Sequence, residues 1–301
     1  MYQHLMMNMD FNGNTHIAET GMIILAEQLA VLESYLPDLQ TETTETAVHE
    51  SRKALRRTFT AFKTFAPYIT KEETAYYRHT LRKLMQRLAR CRDLDVFLAN
   101  LQMHADTLPD SESLISYWHD QQTAARITLR TYTKKHKLQQ LLQEYGEFLQ
   151  DDYDFAALDT NADHPVKTRH VAPLLIFSRL AQVLAHEDSV AAADLVQMHQ
   201  LRIHFKELRY TIAFFEPLFA EQLVEELALL NAIQDHLGAL NDAFVGLNFL
   251  VNTPGRETAV SAYHTHLEQT TKSLTESFLP LWQHFYAPEW RQALATAVIA
   301  L

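Results

Sequence analysis

Two stretches of this sequence set positive charge at helical spacing, VHESRKALRRTF from position 48 and MHQLRIHFKELRY from position 198. In each, a histidine is followed three residues later by an arginine and seven residues later by a second base: His49, Arg52 and Arg56, then His199, Arg202 and Lys206. At about 100° per residue, His199, Arg202, Lys206 and Arg209 fall inside an arc of roughly 80° along ~15 Å of helix. The first stretch brings His49, Arg52, Arg56 and Lys63 together, with Lys53 and Arg57 on the flank. Like charges four apart repel by about a few tenths of a kcal/mol per pair. Glu50 and Glu207, the acids nearby, point away from the main arcs.

A one-signed face of this kind asks for an anion. Arginine grips phosphate oxygens through paired hydrogen bonds, lysine acts as a point charge, and histidine donates when protonated. No aromatic residue alternates with the bases except Phe59, so stacking of bases on the stripe is not indicated. The spacing suits a long phosphate chain better than a nucleobase. Arg82 and, on a separate stripe, Arg126 and Arg130 are further candidates for the same surface.

The elements that carry these residues read as helices throughout. Apolar side chains recur at helical spacing over 17–36, which stops before Pro37, and over 43–66, with Thr43 or Thr44 as the N-cap and Pro67 at the end. Helical patterns follow at 71–105, at 111–155 with a break expected at Gly146, and at 174–186, 190–216, 219–251 and 256–286. No stretch alternates with a period of two, so the fold class is all-α.

The pattern repeats. RCRDLDVFL at 90–98 aligns with ALNDAFVGL at 239–247, matching Asp93 to Asp242. The histidine-to-aspartate distance is 44 residues in one half and 43 in the other. The expectation is two similar antiparallel helical bundles related by internal duplication. An N-terminal extension over 1–19 is expected to be poorly ordered. The first bundle then covers 20–155, a linker 156–173 and the second bundle 174–301. Asp93 and Asp242 read as supporting residues that pair with bases in their own bundles or cap helices.

Composition narrows the function. A chain of 301 residues with 47% hydrophobic residues can bury a large core. Its formal net charge of -11 argues against a protein that coats nucleic acid without specificity. One cysteine, Cys91, excludes an internal disulfide and points to a reducing compartment. With no signal peptide and no apolar run of about 20 residues, a cytoplasmic protein without a membrane partner is expected. Sixteen histidines do not form a metal-binding spacing, since His199 with His204 and His264 with His266 share a helix face poorly. No Gly-rich phosphate loop or nucleophile motif is present, so neither an enzyme nor a cofactor is expected.

The four segments together resemble the CHAD family, the conserved histidine α-helical domain. The resemblance rests on His49, Arg52 and Arg56; on Arg92-Asp93-Leu94-Asp95-Val96; on His199, Arg202, Lys206 and Arg209; and on Leu237-Gly238-Ala239-Leu240-Asn241-Asp242. It implies binding of inorganic polyphosphate in a basic groove between the bundles and association with polyphosphate granules. The implied contacts are His49, Arg52, Arg56, His199, Arg202, Lys206 and Arg209. Two positions depart from the pattern: Phe59 stands where the first motif has its last base, and Glu207 replaces a base beside Lys206. Arg57 and Lys63 are the expected compensation for Phe59. The rival readings are a sequence-independent binder of nucleic-acid backbone and a helical scaffold for an acidic protein partner.

Overall fold

The computed structural model describes residues 10–69, 71–150, 165–191, 195–219 and 222–301. All regular structure among them is helical, apart from one isolated antiparallel bridge between His16 and Lys167. The first half contains α1 (Ile17–Gln40), α2 (Glu45–Thr64), α3 (Lys71–Met103), α4 (Ser111–Thr133) and α5 (His136–Gln150). The second contains α6 (Thr168–Leu184), α7 (Glu187–Ala191), α8 (Leu195–Phe214), α9 (Val224–Val251), α10 (Glu257–Ser277), α11 (Leu279–Tyr286) and α12 (Pro288–Ile299).

The two halves pack alike. In the first, α1 lies on α2, α2 on α3 and α3 on α4; in the second, α6 lies on α8, α8 on α9 and α9 on α10. Across the seam, α2 meets α8 and α3 meets α9. The hydroxyls of Thr64 and Thr211, 147 residues apart, lie 3.4 Å from each other, and those of Thr20 and Thr168, 148 apart, lie 2.7 Å from each other. Phe65 packs edge-on to Phe215 with ring centroids 6.0 Å apart. By the 150-residue offset that relates His49 to His199, Phe65 and Phe215 are corresponding residues, and they meet at the seam.

A single core runs through this seam, joining Leu55, Phe62 and Phe65 to Leu201, Phe205, Leu208 and Phe215. A second core, with Leu94, Phe97, Trp118, Leu250 and Tyr263, ties the C-terminal part of α3 to α4, α9 and α10. Burial of each such Leu or Phe contributes about 1.5–3 kcal/mol. A few of them outweigh the repulsion between bases facing across the seam. Gly21 permits close approach of α1 to α2, since a Cβ there would meet Phe65 Cγ at 2.8 Å.

Several boundaries differ from the sequence expectation. Helix α1 does not stop before Pro37 but carries it inside its last turns, where the fully buried Leu39 holds the helix onto the core. Thr44 is the N-cap of α2, accepting from the Ala47 amide at 3.2 Å, while Thr43 takes a positive φ of 58°. Gly146 lies within α5 instead of breaking it; the interruption comes at Lys134, which caps α4. Positions 168–173 of the expected linker form the first turns of α6, and 156–164 lie outside the described residues. Of the expected N-terminal extension, 1–9 lie outside the described residues. The chain after them is anchored, with the Ile17 amide donating to Val166 O at 2.8 Å and the Arg169 amide to Gly13 O at 3.0 Å.

Candidate functional site

Where α2 and α8 cross, with α3, α9 and α10 around them, lies a cavity of about 710 Å³. Its wall carries seven Lys or Arg side chains (Arg52, Lys53, Arg56, Arg92, Arg202, Lys206 and Arg209) against three aspartates, Asp93, Asp235 and Asp242. His49, His104 and His266 add three imidazoles. Both stripes therefore reach one cavity, because each helix turns its apolar face, including Leu55 and Leu208, to the shared core.

The bases are held where water screens them poorly. Arg202 is buried, and the Arg52 side chain is 17% exposed. Burial, followed by the charge of Arg56, holds the Arg52 guanidinium down to about 10. Arg56 is lowered by burial and then by Arg202, and Arg202 is lowered by burial while Asp242 supports its charge. Lys206 is affected most: burial and the charges of Arg56, Arg202 and Arg52 bring its ammonium down to about 6. Each base thus raises the cost of charging its neighbour.

The carboxylates offset this only in part. Arg52 Nη2 lies 3.8 Å from Asp93 Oδ1, a loose pair. Burial raises the Asp93 carboxyl, with Arg52 opposing it and Asp242 adding to it. Arg92 pairs with Glu45, and Arg209 Nη1 donates to Asn231 Oδ1 at 3.1 Å. The buried Nε–H groups of Arg52, Arg56, Arg202 and Arg209 have no hydrogen-bond partner among the described residues. A set of buried donors with surplus positive charge can donate to several anionic oxygens at once.

The remaining candidates lie elsewhere. His49 is on the cavity wall and its imidazole is lowered by burial and by Arg92, whereas His199 is exposed and off the wall. Lys63 turns to Glu207, at 2.6 Å, and Glu207 also meets Arg179 at 3.5 Å. The acid that departs from the motif thereby draws Lys63 away from the cavity. Arg57 sits over the Phe214 ring, 5.7 Å from its centroid, and Phe59 packs against the main core. Neither Arg57 nor Lys63 stands in for a base at position 59.

Arg126 and Arg130 serve the fold. Arg126 Nη2 binds the buried Asp95 at 2.7 Å and its Nη1 donates to Thr43 O at 2.9 Å. Arg130 donates to Thr43 Oγ1 and Glu42 O. Both secure the turn that Thr43 makes before α2. Arg82 is exposed on α3 and outside the cavity wall.

Sequence reasoning missed the far end of the cavity. There His104 and His266 lie with ring centroids 4.1 Å apart, and Tyr263 stacks on His266 at 5.8 Å. His104 follows the last residue of α3, Tyr263 and His266 lie midway along α10, and the three share no motif. Only their contact in three dimensions reveals them. Among the described residues no group of three or more His, Cys, Asp or Glu is placed to hold a metal ion, and no helix is long and apolar enough to cross a membrane.

The comparisons with known proteins agree with this architecture. The chain is similar in fold to the crystal structure of the CHAD domain from the plant Ricinus communis, with a TM-score of 0.69 and 19% identity over 97% of this chain and 94% of that one. It is also similar to PptA from Streptomyces chartreusis, with a TM-score of 0.62 and 16% identity over 89% of this chain and 100% of that one. No curated protein matches the sequence. The family model described as CHAD domain matches residues 23–251, a span that holds both histidine stripes and both aspartate segments, and the chain belongs to the CHAD family.

Proposed function

We propose that this protein binds inorganic polyphosphate, without catalysis, in the cavity between α2 and α8. The observation that carries the reading is the convergence of Arg52, Arg56, Arg202 and Lys206 on one wall with too few carboxylates to balance them. Such a cluster opposes its own charging until a polyanion arrives, and phosphate oxygens fit both its forked and its point-charge donors. The resemblance to the CHAD family supports the same ligand and association with polyphosphate granules. Nucleic-acid backbone is the weaker reading. Tyr263 is buried and Arg209 covers Tyr210, 4.9 Å from its centroid, so these rings present no open face for bases.

Titration of labelled polyphosphate against the wild type and an Arg52→Ala/Arg202→Ala variant tests the site. The variant is expected to lose at least ~100-fold in affinity, since each truncation removes a charge-assisted contact worth about 1.5–3 kcal/mol. Equal affinity for both proteins would sink the assignment. Competition with duplex DNA and RNA at equal phosphate concentration should leave polyphosphate bound. Displacement by either would favour the nucleic-acid reading.

A further inference from the structure

A second concentration of positive charge lies outside the cavity. From Thr74 to Arg92 on α3, and from Gln121 to Gln143 on α4 and α5, the sequence carries eleven of the chain's 26 Lys and Arg residues and none of its 37 Asp and Glu. A protein with net charge -11 has kept two neighbouring segments free of acid. Arg126 is spent on Asp95 and Arg92 on Glu45. By contrast Arg78, Arg82, Lys83, Arg87 and Arg90 have no ion pair among the described residues.

Helix geometry joins this surface to the cavity. With Arg82 at zero on a wheel of about 100° per residue, the cavity residues Asp93 and Val96 fall at about 20° and 320°, and Arg78 at about 320°. Arg90, Lys83 and Arg87 then follow at about 80°, 100° and 140°. The exposed arc of α3 is thus basic from the line of the cavity round to α4. At that edge a shallow cavity of about 250 Å³ lies between α3 and α4, lined by Arg87, Arg90, Gln121, Ala124, Ala125 and Thr128.

The two arginines of this cavity are held in place. The Arg87 guanidinium lies 4.1 Å from the Tyr132 ring centroid, and its Nη1 donates to Lys83 O at 2.9 Å. Arg90 lies 4.6 Å from the Phe249 centroid. A guanidinium already held over a ring loses less rotamer entropy when its remaining N–H groups meet an anion. The covered rings cannot also stack nucleobases.

We infer that the outer face of α3, through Arg82, Lys83, Arg87 and Arg90, is a second track for the same phosphate polymer, engaged by chains too long for the cavity. This rests on the proposed polyphosphate binding. A chain leaving the cavity past Asp93 along α3 comes first to Arg90 and Arg87 beside α4, within ~9 Å along the axis, and then to Lys83 and Arg82 at ~15–17 Å, so the second contact is intramolecular and adds avidity. The consequence is discrimination by length. A short chain reads the cavity alone; a long one reads both surfaces.

The test uses the full chain and two probes, an inorganic polyphosphate no longer than the cavity and one of about 100 phosphates. An Arg82→Gln/Arg87→Gln/Arg90→Gln variant should bind the short probe within about twofold of wild type and lose at least ~10-fold on the long one. An Arg82→Gln/Lys83→Gln variant, which leaves both ring-covering arginines intact, should lose several-fold on the long probe alone. It decides the matter if the triple variant does not fold. Wild-type affinity of this second variant for the long probe overturns the track. Failure of the wild-type protein to bind either probe overturns the cavity reading instead. Loss of duplex DNA binding with long polyphosphate unchanged would assign the face to nucleic acid and overturn the inference.

Discussion

Binding of a polyanion should draw a proton into the cavity at Lys206. In the free protein its ammonium is held down to about 6 by burial and by Arg56, Arg202 and Arg52. At pH 7 about nine in ten free molecules therefore carry it neutral. A bound phosphate chain cancels the repulsion and returns the group toward its ordinary value, so binding takes up ~0.9 proton. Above the folded value, each unit of pH then lowers affinity by ~10-fold, or ~30-fold between about pH 7.5 and 9. That window lies above the titration of His49, whose imidazole is lowered, and above the phosphate ionisation near 6. Calorimetric titration in two buffers of unlike ionisation enthalpy gives the proton count directly. Lys206→Arg, which keeps its charge, should bind with a flat profile. A wild-type affinity that is also flat, with no proton uptake, would refute the reasoning.

Lys206→Met should make the unliganded protein more stable while weakening polyphosphate binding. The folded value lies below the unfolded one, so the unfolded chain holds more protons between about pH 6 and 10.5 and stability rises with pH across that range. Removing the group should remove that slope and raise thermal stability at pH 7 by on the order of 1–3 kcal/mol, read as a higher Tm at neutral pH. Asp95→Asn should act the other way. It removes the charge that opposes Arg126, while the bond to Thr43 O remains, and should cost about 2–4 kcal/mol in denaturant unfolding, with affinity for short polyphosphate unchanged.

How much of the site could be read from sequence depended on whether the signal was local. The stripes of α2 and α8 were legible because helical spacing fixes which side chains share a face. Asp93 and Asp242 were legible as partners because they recur at the same distance from each histidine. Arg126 and Arg130 looked like more of the same surface, since spacing reports the face and not what lies opposite. Their partners, Asp95 and the backbone around Thr43, come from other elements. His199 illustrates the same limit at the end of a stripe, where one turn of helix carries it beyond the cavity wall. The all-α class and most helices followed from periodicity. Pro37 and Gly146 misled because tertiary packing, at Leu39 and against Leu29, outweighed their local preferences.

The acidic balance of the chain and its basic cavity answer one physical demand. Bases packed together destabilise a fold, and here the apolar seam through Phe65, Phe205 and Phe215 is what holds α2 and α8 close against that repulsion. The second core around Phe97 and Tyr263 braces the other end of the cavity through α3, α9 and α10. With the walls fixed from both ends, little reorganisation would remain when an anion enters; the repulsion stored between Arg52, Arg56 and Arg202 would be relieved, and Lys206 would take up its proton. The net acidity elsewhere would keep the exposed surface from competing for the same ligand, except along the neighbouring acid-free segments of α3, α4 and α5. Stability without ligand and affinity for it are therefore opposed at the same side chains: Lys206→Met, which relieves the free fold, also removes the charge that a phosphate chain would meet.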